Sequence, residues 1–115
     1  MKRVIAGLAF AALVGFASTA SAQDKDNGAK VFSANGCPMC HSIAGKGNTK
    51  GPLDEVGSKL SSDDIRHWIT DPAAMATKTK AERKPPMAAM QAKFKGLSKG
   101  DLDDLVAYLT SLKKK

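Results

Sequence analysis

Both cysteines of this 115-residue chain, and one of its two histidines, fall within the five residues Cys37-Pro38-Met39-Cys40-His41. Few folds have a use for two thiols three residues apart with an imidazole directly behind them. A disulfide across so short a loop restrains little chain and stabilises little. A thioredoxin-like redox pair needs a strand–helix–strand setting, and no convincing strand pattern or internal repeat occurs along this chain. Structural zinc takes four ligands; beyond these three only His67 is left, and His41 directly after Cys40 is poorly placed to join both thiols on one metal.

Attachment of a porphyrin does need this spacing. Thiols at i and i+3 lie on one side of a helical turn, where they can add to two vinyl groups along one edge of the ring, and the next residue then swings its imidazole over the iron. The segment therefore reads as a site for one covalent haem c, held through Cys37 and Cys40, with His41 as an axial ligand. Such a disc also answers a shortage of core. A domain this small buries only about 60–65% of its unfolded surface, and aromatic residues make up 5% of the chain.

The N-terminus bears on the compartment. Met1-Lys2-Arg3 is basic, Val4 to Ala17 is apolar but too short to span a bilayer, and Ala20-Ser21-Ala22 fits an A-x-A cleavage pattern. Residues 1–22 are expected to be a cleaved signal peptide and residues 23–115 a single domain in the periplasm. Loss of Lys2 and Arg3 lowers the formal net charge from +7 to +5.

Along that domain the signals are helical. A first helix is expected over Asp24 to Asn35, capped by Asp26 or Asn27, with Val31 and Phe32 on its apolar side and Asn35-Gly36 as its stop. Residues 44–57, rich in glycine, read as loop. Ser61-Ser62-Asp63-Asp64 starts a helix with Ile65, Trp68 and Ile69 on one face, and Asp71-Pro72 ends it. Residues 73–95 are less regular and are broken at Pro85-Pro86. Ser98 and Asp101 then form a capping-box-like start, and Leu102, Leu105, Val106, Leu109 and Leu112 recur at helical spacing up to Lys113-Lys114-Lys115. The expected fold class is all-α.

Gly28, Phe32, the Cys37–His41 motif, Gly51-Pro52-Leu53, the Trp68 helix and Asp104 to Leu109, taken in order, resemble a small bacterial class I cytochrome c across residues 23–115. The resemblance implies crossed first and last helices, with Gly28 permitting close approach and Phe32 packed near Tyr108. It implies that the carbonyl of Pro52 accepts a hydrogen bond from the far nitrogen of His41, and that Trp68 sits by the haem edge or a propionate. Ordinary core packing is the other role open to Trp68 and Tyr108. The family also leads one to look for a loop methionine as second axial ligand. Met87 follows the rigid Pro85-Pro86 and is favoured; Met90 is the alternative, lying 18 residues before Tyr108 against 21 for Met87. His67 reads as a surface or propionate-side histidine.

Iron closed on both faces by His and Met suits electron transfer rather than activation of oxygen or peroxide. The expected function is thus a one-electron carrier and not an enzyme; a haem enzyme or gas sensor with a labile sixth ligand is the alternative. Lys78, Lys80, Arg83 and Lys84 precede the methionines and Lys93, Lys95 and Lys99 follow them, a basic ring suited to redox partners with acidic docking surfaces. With no basic stretch interleaved by aromatics, nucleic acid is not an expected partner. After signal cleavage neither stable membrane insertion nor oligomerisation is expected.

Overall fold

The computed structural model describes residues 23–115, so the expected signal peptide lies outside the described residues. In chain order the elements are α1 (Lys25–Ala34), a 3₁₀ turn (Cys37–Met39), strands β1 (Ser42–Ile43) and β2 (Lys46–Gly47), α2 (Val56–Lys59), α3 (Ser62–Thr70) and α4 (Pro72–Thr79). A second 3₁₀ turn (Met87–Met90) then runs into α5 (Gln91–Phe94), and α6 (Lys99–Thr110) closes the fold.

The first helix is capped by Asp24, whose carboxylate accepts from the N–H groups of Asp26 and Asn27 at 2.9 and 3.0 Å. The cap therefore lies before the expected Asp26 or Asn27. Asn27 is committed elsewhere: its side-chain amide donates to Asp101 at 3.1 Å and to Asp104 at 2.8 Å. Asp104 also accepts from the Asp24 N–H at 2.8 Å. These bonds pin the start of α1 to the first turns of α6, which Ser98 caps by accepting from Asp101 N–H at 3.1 Å.

Where α1 and α6 cross, Gly28 is buried. A Cβ there would stand 2.6 Å from Tyr108 Cβ and would overlap the Asp104 carbonyl oxygen, so glycine is required by the approach of the two backbones. One turn on, Phe32 meets Tyr108 edge to face, with ring centroids 6.3 Å apart. Val31, Phe32, Ile65, Ile69, Phe94, Leu105, Val106 and Leu109 form the buried core, so α1, α3, α5 and α6 share one apolar centre. The expected all-α class with crossed terminal helices is what the chain adopts.

Two details differ from the sequence reading. Asp71-Pro72 ends α3 and at once starts α4: Asp71 accepts from Ala74 N–H at 3.2 Å, and proline at the first helical position gives up an N–H that would have had no partner. No strand was expected, yet residues 42–47, which run into the loop read over 44–57, hold a minimal antiparallel hairpin, Ser42 opposite Gly47 and Ile43 opposite Lys46. Ala44 and Gly45 turn it with positive φ of 53° and 77°. Two-residue strands are too short to carry a period-two pattern.

The chain end is also tied in. Gly57 N–H donates to Leu112 O at 2.7 Å, and Lys114 N–H donates to the Ser58 hydroxyl at 2.8 Å. No described helix is long and apolar enough to cross a membrane.

Candidate cofactor-binding site

The end of α1 delivers the chain into the Cys37–His41 turn. Asn35 closes the helix by donating its N–H and its side-chain amide to Val31 O, at 3.1 and 2.8 Å. Gly36 then takes the left-handed conformation, φ 74°, which turns the chain sharply. Cys40 N–H and His41 N–H both donate to Cys37 O, at 3.1 and 3.0 Å. This tight turn keeps the two thiols and the imidazole on one short stretch of backbone. Both cysteines are free and half-buried. Met39 between them is 73% exposed, which takes its thioether out of contention as a partner for His41.

Burial pushes the Cys37 thiol up to about 11, against partial relief from a backbone hydrogen bond and from Lys93. Folded around a free thiol, the turn holds it protonated.

His41 is anchored through one nitrogen. Its Nδ1 lies 3.0 Å from the carbonyl oxygen of Gly51; a carbonyl can only accept, so Nδ1 carries the proton and Nε2 keeps its lone pair. Burial lowers the ring's pKa below the ordinary value, the Gly51 bond pulls the other way, and the nearby Arg83 cation adds to the lowering. The acceptor is Gly51, not Pro52 as expected. Residues 51–53 run parallel beside Ser42, with Ser42 N–H donating to Gly51 O at 3.1 Å and Leu53 N–H donating to Ser42 O at 2.8 Å. Alternation along an extended chain turns the Gly51 carbonyl toward the His41 side and the Pro52 carbonyl away.

Met87 and Met90 open and close the same 3₁₀ turn, and both are partly buried against the core. Pro86 approaches it in the extended conformation, φ −73° and ψ 152°. Met90 comes close to the start of the cysteine turn, its Cε 3.7 Å from where a Gly36 Cβ would stand. Trp68 is half-buried on α3. His67, exposed on the same helix, lines a surface groove with Asp71, Ala74, Met75 and Lys78, and no residue of the cysteine turn lines that groove.

Two participants were not legible as such. Gly51 read only as part of a loop motif. Arg83 read only as one member of a basic ring, yet its guanidinium donates to the carbonyl of Cys40, 43 residues away. No local pattern encodes a contact of that separation.

Among the described residues no group of three or more His, Cys, Asp or Glu could hold a metal ion directly. What the chain offers instead is two thiols spaced for c-type haem attachment, inside an all-helical domain with crossed ends. That is the class of the small c-type cytochromes. The cytochrome c family model matches residues 25–113, and the chain belongs to the cytochrome c family, which supports a general role in electron transfer. It is also similar to cytochrome c oxidase subunit 2 of Alkalihalophilus pseudofirmus, at 29% identity over 97 residues. That alignment covers 76% of this chain but 25% of the relative, so the chain spans about a quarter of the relative's length. No solved structure matches it.

Proposed function

We propose that this protein is a periplasmic one-electron carrier, a monohaem c-type cytochrome in which His41 and Met87 would hold the iron. The donor set fits the group. Cys37 and Cys40 supply two thioether links from one turn, and His41 presents Nε2 while Nδ1 is fixed on Gly51 O. Met87, or Met90 on the same turn, would supply a soft sulfur ligand to the iron. A haem bound there supplies a one-electron iron couple. The bond to Gly51 O would hold the His41 ring in place through oxidation and reduction, so that side would need little rearrangement.

The observation that carries this reading is the 3.0 Å contact from His41 Nδ1 to Gly51 O, directly behind two half-buried free thiols. It fixes the tautomer and ring orientation that an iron ligand requires. Trp68 is assigned to the haem edge, and the lysines around the methionine turn to a docking surface for acidic redox partners. The likeness to an oxidase subunit makes a terminal oxidase the first acceptor to try.

The test is the visible spectrum of protein exported in a haem-competent host, oxidised and reduced. The expected result is c-type bands together with the weak far-red band of ferric iron bonded to thioether sulfur. The c-type bands without that band would overturn the methionine ligand and lead to ligand-binding and peroxidase assays. A colourless protein would overturn the haem reading altogether.

A further inference from the structure

Arg83 lies in the exposed segment between α4 and the methionine turn, where a long charged side chain ordinarily roams in solvent. Holding it in one place costs rotamer freedom, so a fixed position calls for a reason. Its Nη2 donates to the carbonyl oxygen of Cys40. Its Nη1 occupies the position that a side chain on residue 51 would need, since a Cβ on Gly51 would overlap Nη1 and the Cys40 oxygen. Glycine at 51 therefore does two things: it leaves a seat for the guanidinium, and its own carbonyl holds His41 Nδ1 at 3.0 Å. Cation and imidazole are seated on the same two pieces of backbone.

No protein carboxylate shares that seat. Among the described residues the ion pair is Arg66 with Asp103, and no carboxylate stands within ion-pairing distance of Arg83.

We propose that Arg83 is a positioning residue for the histidine side of the site: it clamps the Cys40 and Gly51 backbone that orients His41, and its fixed charge there favours the reduced iron. The proposal rests on the electron-carrier reading. Ferric iron carries one more positive charge than ferrous, so a fixed cation nearby disfavours the oxidised state. The clamp also joins the segment leading to Met87 to the turn carrying His41, the two sides from which the ligands are drawn.

The test is spectroelectrochemical titration of the purified holoprotein without any partner, for wild type, Arg83→Gln and Arg83→Lys. Arg83→Gln should move the oxidised-to-reduced equilibrium toward the oxidised form by about tenfold, which is about 59 mV lower for a one-electron couple. Arg83→Lys, which keeps the charge but not the planar fork, should recover most of that shift. Unchanged potential in Arg83→Gln overturns the proposal, as does Arg83→Lys falling equally far. A residue that only props up the fold would lower the melting temperature in both variants without separating their potentials. If wild type lacks c-type bands, the carrier reading itself has failed, an outcome separate from either of these.

Discussion

His41 is the residue on which the proposed site depends. Burial and the Arg83 charge favour the neutral ring against the opposing pull of the Gly51 bond, and the Gly51 carbonyl fixes the proton on Nδ1, so Nε2 keeps its lone pair for the proposed iron. His41→Ala should give exported protein with little covalent haem, read by haem staining of a denaturing gel; normal incorporation would remove His41 from its assigned role. For the second ligand, Met87→Ala should lose the far-red sulfur band and Met90→Ala should keep it, with the opposite pattern transferring the role to Met90. The cysteines and His41 were legible because their chemistry is compressed into five consecutive residues. The acceptor of the His41 bond was not. A shift of one residue reverses which way a carbonyl points along an extended chain, and a motif read from residue types alone carries no such direction.

The crossing of α1 and α6 is carried by backbone contact as well as by apolar burial. Gly28→Ala should destabilise the holoprotein by about 1–3 kcal/mol, since the added methyl meets Asp104 backbone and Tyr108 Cβ rather than a movable side-chain tip. A melting temperature unchanged from wild type would show that the helices can separate at no cost. The helices α3 and α6 were legible because each pairs a helical apolar period with a polar start signal: Ser61 and Ser98 both accept from a first-turn N–H. The start of α4 was hidden because Asp71-Pro72 is equally good as an ending and as a beginning. The hairpin at Ser42–Gly47 was hidden by its length, and the first cap by competition, because Asn27 is drawn across to α6.

Taken together, the domain is a ring of elements whose two ends meet. The last residues are part of the structure: Leu112 O and Lys114 N–H bond to Gly57 and to Ser58. Deleting residues 112–115 should therefore lower stability by about 1–3 kcal/mol, the sum of two modest hydrogen bonds with some apolar burial. A urea midpoint equal to that of the full chain would show the tail to be dispensable. With an acidic redox partner, electron-transfer rates should fall steeply as salt is raised, since screening shortens the reach of the lysines around the methionine turn; a salt-independent rate would exclude electrostatic steering. The meeting of the two ends also makes the first helix wait on the last: the Gly28 face of α1 and the Asn27 amide take their partners from α6, so α1 is not closed until Lys99–Thr110 has folded against it.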